Sequence, residues 1–366
     1  MKHLIIKNIG PLKEVDIALS KTNLIIGPQS TGKSCILKIA SFCAWLEKII
    51  CLFQISEGFL SKITIKDRLI KFHNLDGYFR DESFFSYETE VMKYSFSFKD
   101  NSTTFEWKEG RHKYKRSKIS YIVAERNILS VVPNWFELKL SDNSVRNFMT
   151  EWQNARNYNG DREKLPILNT DIDYKYDKER GIDRIILSNG NELSLLNASS
   201  GLQSLVPLFV FIDYIAKGFY DSHLMSVEDL NNNTAKYDHS DIYLEEPEEN
   251  LFPETQIDLV NWLAEILNGE RNHTLFIATH SPYIMSAFNN LIQAGDIIEE
   301  SPEKKAEVEK IIGGNRAIKY DDVAAFAIAN GSVHSIKDDE LRLMSPSELD
   351  TVSDDISNIF NQLLEL

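Results

Sequence analysis

Short runs of consecutive apolar residues recur along this chain, each closed by a turn residue, a carboxylate or a histidine. Most are trailed by a stretch with apolar positions every three or four residues. Leu4-Ile5-Ile6 and Val15-Asp16-Ile17 flank the Gly10-Pro11 turn and predict a strand pair. Leu24-Ile25-Ile26 predicts a buried strand running into Gly27, and Cys35-Ile36-Leu37-Lys38-Ile39-Ala40 opens a helix over 34–52. Ile119-Ser120-Tyr121-Ile122-Val123, Ile242-Tyr243-Leu244 and Thr274-Leu275-Phe276-Ile277-Ala278-Thr279 are further buried strands. Apolar helices are expected over 205–216 and 253–267, the second with Ile257, Val260, Leu263 and Leu267 on one face. This alternation predicts an α/β fold with a mostly parallel central sheet and an antiparallel N-terminal β part.

Between these elements the pattern loosens. Residues 53–118 mix aromatics with turn residues around Gly77-Tyr78-Phe79, and Tyr94-Ser95-Phe96-Ser97-Phe98 alternates like a half-exposed strand, so a mixed α/β insertion is expected there. Residues 130–182 are polar and without period, a second insertion. Arg184-Ile185-Ile186-Leu187 and Leu193-Ser194-Leu195 flank Asn189-Gly190, a hairpin signal. A polar loop holds Asn231-Asn232-Asn233. At the end, 315–366 reads as a hairpin turning at Asn330-Gly331, then a helix opened by the capping box Ser345-Pro346-Ser347-Glu348. The apolar stripe of that helix, Val352, Ile356, Ile359, Phe360 and Leu363, suits docking on the chain's own core, with a partner-binding helix as the other reading. The 366 residues are taken as a single domain carrying these additions.

Composition narrows the function classes. At 43% hydrophobic the chain can bury a large core, while no apolar run approaches a membrane span and Met1-Lys2-His3 leads into a strand rather than a signal peptide. The three cysteines, Cys35, Cys43 and Cys51, form no C-x-x-C pair and suit small apolar positions along one helix in a reducing, cytoplasmic setting. A net charge of −15 opposes non-specific nucleic-acid binding by the whole chain. One local exception is Lys108-Glu109-Gly110-Arg111-His112-Lys113-Tyr114-Lys115-Arg116-Ser117-Lys118. It is either a solvated hairpin, the favoured reading, or a contact for nucleic acid or an acidic partner.

Chemistry concentrates at Gly27-Pro28-Gln29-Ser30-Thr31-Gly32-Lys33-Ser34. It fits G-x-x-x-x-G-K-[ST] between a strand and a helix, the arrangement that aims backbone N–H groups at phosphates. Lys33 is placed to reach the β- and γ-phosphates of ATP, and the Ser34 hydroxyl to ligate Mg2+. Glu245 and Glu246 leave the strand 242–244 in different directions. Glu245 suits the magnesium shell and Glu246 suits accepting a proton from the attacking water; an ordinary solvated acidic loop is the competing reading. His280 ends a strand expected at the same sheet edge, where it could donate to the γ-phosphate or simply be structural. Ser199-Ser200-Gly201-Leu202-Gln203 opens another helix with exposed N–H groups and hydroxyls. It is either a simple helix cap or a cradle for the nucleotide of a neighbouring protomer.

Taken in order, the phosphate loop, Ala198-Ser199-Ser200-Gly201-Leu202-Gln203, Leu244-Glu245-Glu246-Pro247-Glu248 and Thr279-His280-Ser281-Pro282 resemble the ABC-type ATPase heads related to Rad50 and SMC proteins. The OLD-like (overcoming lysogenization defect) branch of AAA-labelled bacterial ATPases is the nearest resemblance. Ile6-Lys7-Asn8-Ile9-Gly10-Pro11-Leu12 and Tyr121-Ile122-Val123-Ala124-Glu125-Arg126 are also similar to that branch. The resemblance implies a P-loop NTPase fold of ABC type, hydrolysis of ATP with Mg2+, and an ATP-bound sandwich of two copies. In that sandwich Ser199, Ser200 and Gly201, with Gln203, close on the γ-phosphate held by Lys33 of the other copy. It further implies a nucleotide switch controlling a separate effector in anti-phage defence or a toxin–antitoxin-like system, with a DNA-processing ATPase as the alternative. This chain departs from the family in three ways. Only about 85 residues separate Ser34 from Ile119, too few for long coiled-coil arms. Glu125 and Arg126 stand where the family's Q-loop glutamine is expected. After Gly314 the acidic residues Asp338-Asp339-Glu340 and Asp354-Asp355 do not follow buried strands as a Toprim nuclease would require.

Overall fold

The structure is a computed structural model describing residues 2–54, 65–132, 135–222, 236–345 and 352–364. Four strands are buried on both faces: β3 (Thr22–Ile26), β12 (His239–Glu245), β13 (Thr274–Thr279) and β14 (Val323–Ala329). Continuous apolar runs of this kind are what a covered parallel sheet demands. With β7 (Ser117–Ile122) they pair in the order β14-β3-β13-β12-β7, every neighbour parallel. The α/β class and the parallel centre expected from the alternation are therefore present. The tail contributes more than a terminal hairpin. β14 does turn at Asn330-Gly331 into β15 (Ser332–Ser335), but it also lies beside β3 at the heart of the sheet.

Beyond β15 the sheet continues through β2 (Leu12–Leu19), parallel to β15, and then in antiparallel fashion through β1 (Lys2–Ile9), β4 (Phe79–Glu88), β5 (Met92–Ser97) and β6 (Ser102–Trp107), giving eleven strands among the described residues. The stretch 53–118 thus lends three strands to the main sheet. β6 and β7 are the two outer edges, yet they are joined only by residues 108–116. Extended, that connection reaches about 35 Å. Eleven flat strands would separate the edges by about 48 Å. The sheet must curl, and it curls around α1 (Lys33–Phe53). Ile36, Ile39, Phe42, Cys43, Leu46 and Ile50 are all at most 2% exposed, burial on several sides that a surface helix would not show. On the antiparallel side Phe42 meets Phe85 edge-on, 6.1 Å between ring centres, and Thr89 donates to Glu47 at 2.7 Å. On the parallel side Tyr243 reaches the carbonyl of Ala40 at 3.4 Å. The body of α1 is thereby held between the two parts of the sheet.

Residues 130–182, expected to be patternless, contain α2 (Ser144–Asn159), capped by Asn143, whose side chain accepts from the Arg146 amide at 3.0 Å. Phe148, Trp152 and Ala155 are its buried stripe. The period was there, diluted by polar neighbours. β9 (Asp173–Asp177), β10 (Ile182–Ile186) and β11 (Glu192–Ser194) form a separate small sheet with β8 (Leu165–Pro166), and the Asn189-Gly190 hairpin is as expected. Helices α3 (Ser200–Asp213), α4 (Pro253–Leu267) and α5 (Pro282–Glu300) cover the sheet, followed by α6 (Lys305–Ile312). None of the described helices is long and apolar enough to cross a membrane.

Two expectations change. The basic stretch is not a hairpin: it is the connection from β6 to β7, with a single 3-10 turn at Glu109–Lys113. The terminal helix α7 (Val352–Leu364) does not dock. Ile359, Phe360 and Leu363 are 58%, 60% and 62% exposed, so the described part of the apolar stripe faces solvent. The side chains of Val352 and Ile356, the capping box beyond Ser345, and the Asn231-Asn232-Asn233 loop lie outside the described residues.

Candidate active site

Parallel register brings three strand ends together. Ile26 of β3 pairs with Thr279 of β13, and Ala278 of β13 pairs with Glu245 of β12. Neighbouring strands are about 4.8 Å apart, so the residues that follow, Gly27, His280 and Glu246, emerge side by side at the carboxyl edge. In open α/β sheets this edge is where ligands bind.

The loop after β3 is built for an anion. Gly32 has φ +107°, a conformation only glycine adopts easily, and a Cβ there would stand 2.5 Å from Leu12. Ser30 also has positive φ (61°), and the Thr31 hydroxyl donates to the Pro28 carbonyl at 2.8 Å, closing the loop. No side chain caps α1 and no acidic residue occupies its first turn, so its leading N–H groups are left for a ligand. Lys33 is 5% exposed. Its ammonium donates to the carbonyls of Gly27 (2.7 Å) and Pro28 (2.8 Å) and to Nδ1 of His280 (3.2 Å). With Nδ1 accepting, a neutral His280 carries its proton on Nε2, 3.6 Å from Oε1 of Glu246. Lysine, imidazole and carboxylate thus form one continuous array.

A cavity of about 400 Å³ opens on that array. Gln29, Ser30, Gly32, Lys33, Ser34, Glu246 and His280 line it, so the structure brings seven of the residues singled out in the sequence to one cavity. Leu75 and Tyr78 form another wall, which sequence reasoning missed because they come from the irregular stretch after α1. Their one legible trace was the Gly77-Tyr78 turn.

The acidic run is not a solvated loop. Glu245 is 4% exposed; Oε1 accepts from the Tyr121 hydroxyl (2.6 Å) and Oε2 from the Ala124 amide (3.2 Å). It does not line the cavity, unlike Ser34. Glu248 binds the Thr279 hydroxyl (2.8 Å) and the His280 amide (2.5 Å), which sets the histidine's backbone. Glu246 alone projects a carboxylate into the cavity, from a backbone at φ +44°. Arg126, which the sequence placed only as the end of a strand, is fully buried and bonds the carbonyls of Glu245 and Glu246.

The stretch 199–203 stands apart from the cavity of its own chain. Ser199 caps α3, accepting from the Leu202 amide at 3.5 Å, and the amide of Gln203 turns back to the carbonyls of Leu196 (2.9 Å) and Leu195 (3.4 Å). Ser200 and Gly201 remain at the tip, Ser200 exposed. The capping reading is satisfied, and the tip is free for a second role.

Loss of solvation lowers the Lys33 ammonium to about 8, although Glu246 and Glu248 pull it upward. ATP affinity should therefore fall as pH rises through about 8, where Lys33 of the empty site loses its charge; fluorescence titration with a nucleotide analogue from pH 7 to 9.5 checks this. An affinity flat across that range would contradict the placement of Lys33.

The donors present fit a triphosphate: free N–H groups, an ammonium and no competing anion in the helix start. Among the described residues no group of three or more His, Cys, Asp or Glu could hold a metal on its own. Magnesium keeps few protein ligands and shares phosphate oxygens, so Ser34 in the lining suits an ion that arrives with its nucleotide.

Residues 136–285 match the AAA ATPase domain family. The AAA ATPase match covers α3, the β12 strand with its carboxylates, and β13 with His280, but begins downstream of the phosphate loop. Loop and match are therefore separate observations, and both support an ATPase with ATP as its nucleotide. No curated protein matches the sequence. Among solved structures, the chain is similar to the SMC head domain from Thermotoga maritima, with 10% identity, TM-score 0.41, and coverage of 91% of this chain and 97% of that one. It is likewise similar to the Smc head domain with an extended coiled coil, bound to the C-terminal domain of ScpA, from Pyrococcus furiosus (11%, TM-score 0.42, 92% and 96%). A third likeness is to the recombination mediator protein RecF-ATPrS in the RecFOR pathway (11%, TM-score 0.36, 91% and 97%).

Proposed function

We propose that this chain is an ABC-type ATPase of the OLD-like kind, in which two copies close around ATP and hydrolysis resets the assembly. The observation that carries this is the Lys33–His280–Glu246 array on a cavity floored by the phosphate loop. In this reading the backbone N–H groups of 30–34 and the Lys33 ammonium hold the β- and γ-phosphates. Glu246 takes a proton from the attacking water, and His280 donates from Nε2 to the γ-phosphate. Ser34 would hold a magnesium ion that would neutralise phosphate charge; Glu245, whose two oxygens accept from Tyr121 and Ala124, is not placed to join it directly. A base in reach of the water is worth about a hundredfold or more in rate.

The second copy is supported by what one copy leaves undone. The tip of α3 lies outside its own cavity, and Leu196, Phe252 and Tyr283, neighbours in sequence of the site residues, are 42%, 73% and 51% exposed. Exposed large apolar side chains near these segments in sequence suit a surface to be covered. No second catalytic centre accompanies the ATP site among the described residues, so the output of the switch passes to a separate effector, in anti-phage defence or a toxin–antitoxin-like system. Much of the basic stretch is already engaged: Lys108 with Glu88, Lys115 with Asp238 (3.6 Å), Lys118 with Glu151 (2.7 Å), and Arg116 over the Tyr237 ring (3.9 Å). These pairings disfavour the DNA-processing alternative.

Mixing two inactive variants tests the sandwich. Lys33→Ala loses the loop and Ser200→Arg, at an exposed position, blocks the tip. A mixed pair keeps one site with native Lys33 from one copy and native Ser200 from the other, so mixing should restore ATPase activity. Unrestored activity, with both variants folded, would place the whole site within one chain.

A further inference from the structure

Arg126 follows β7 in a short 3-10 turn and is 0% exposed. Nη1 donates to the Glu245 carbonyl (3.0 Å), Nη2 to the Glu246 carbonyl (2.7 Å) and Nε to the Ser204 carbonyl in α3 (3.3 Å). Oε2 of Glu249 lies 3.6 Å from Nη2. Burying a cation against carbonyls is costly unless its geometry is used. Here the two carbonyls bracket Glu246, whose φ of +44° is sparsely populated for glutamate. On the other side the Glu246 amide donates to the Ala278 carbonyl at 2.8 Å. Both peptide planes around Glu246 are therefore held: the 245–246 plane by Arg126 and β13 together, and the 246–247 plane by Arg126. The direction of the carboxylate follows from them.

We propose that Arg126 is the positioning residue for Glu246: its planar fork holds the left-handed turn that aims the carboxylate into the cavity, and its third bond registers that turn to α3. A lysine, a single point of charge, cannot span three carbonyls in a fixed plane. The same helix turn is gripped twice more, by Ser130 on the Gln203 carbonyl (2.7 Å) and by Asn250 on the Ser204 hydroxyl (2.9 Å). A displacement of the α3 tip is thus transmitted to Glu246 through Arg126. This inference rests on Glu246 being the catalytic carboxylate.

The test is a double-mutant cycle in the full chain, measured by single-turnover and steady-state ATP hydrolysis. Wild type against Lys33→Ala comes first; hydrolysis that does not depend on Lys33 would remove the functional reading and this inference with it. Given Lys33-dependent hydrolysis, Arg126→Lys should lower kcat at least about tenfold, as a misplaced catalytic group does, with the half-saturating ATP concentration within about twofold. In the Glu246→Gln background the same change should alter the residual rate by less than about twofold, because its target is already gone. Losses that multiply in the double variant, or a half-saturation that rises as far as kcat falls, would overturn the inference while leaving the ATPase reading intact. Should Arg126→Lys fail to fold by circular dichroism, Glu249→Gln enters the same cycle, with a fall in kcat of about threefold expected and the same two outcomes deciding.

Discussion

Lys33→Ala should leave a folded protein that no longer holds ATP. Its ammonium lines the cavity at the phosphate loop, and it already bonds two loop carbonyls and His280. A charged hydrogen bond to phosphate contributes about 1.5–3 kcal/mol, and a lysine bridging two phosphates loses both contacts, which corresponds to about a hundredfold weaker binding or worse. Folding is spared because the substitution also removes a cation that burial already disfavours; the same loss of solvation lowers the Lys33 pKa to about 8. Titration with a fluorescent ATP analogue, beside a circular dichroism spectrum, reads both effects. Native affinity in a folded variant would mean that the cavity is not the nucleotide site.

Glu246→Gln should have the opposite profile, keeping ATP and losing turnover. The change is isosteric, removes no buried partner and leaves the loop in place; Lys33 and His280 lose only the neighbouring negative charge. What it removes is the proton acceptor, so phosphate release should fall by about a hundredfold to a thousandfold. With hydrolysis blocked, the ATP-bound assembly should persist, visible as a larger mass by light scattering in ATP than in ADP. Hydrolysis at the native rate would dismiss Glu246 as the base. The neighbouring carboxylate provides a contrast. Glu245 accepts from Tyr121 and Ala124 in the core, so Glu245→Gln can keep an oxygen on the Ala124 amide only by turning its NH2 to the Tyr121 hydroxyl, which loses two charged hydrogen bonds and is expected to cost stability as well as activity.

The site was legible in proportion to how local its chemistry is. A glycine loop between a strand and a helix announces itself because loop geometry, dihedral demands and helix N-terminus all lie within eight residues. The carboxylates and His280 could be placed at the same edge because hydrophobic strands preceded them and a parallel sheet puts all such ends on one side. Glu245 and Glu246 were separable in direction, since successive strand residues alternate. Arg126 carried no such mark. An arginine at a strand end is usually solvated, and its value arises only from carbonyls contributed by residues nearly eighty and a hundred and twenty positions away. Tyr78 was hidden for the same reason.

Sequence alone determined the alternating α/β order, the phosphate loop, and which strand ends bear reactive groups, because each follows from spacing within a few neighbouring residues. Tertiary structure decided the rest. The central place of β14, the closure of the sheet around α1, the solvent-facing stripe of α7 and the turn that aims Glu246 all depend on which distant segments meet. Periodicity says that a face is apolar; only packing says what, if anything, covers it.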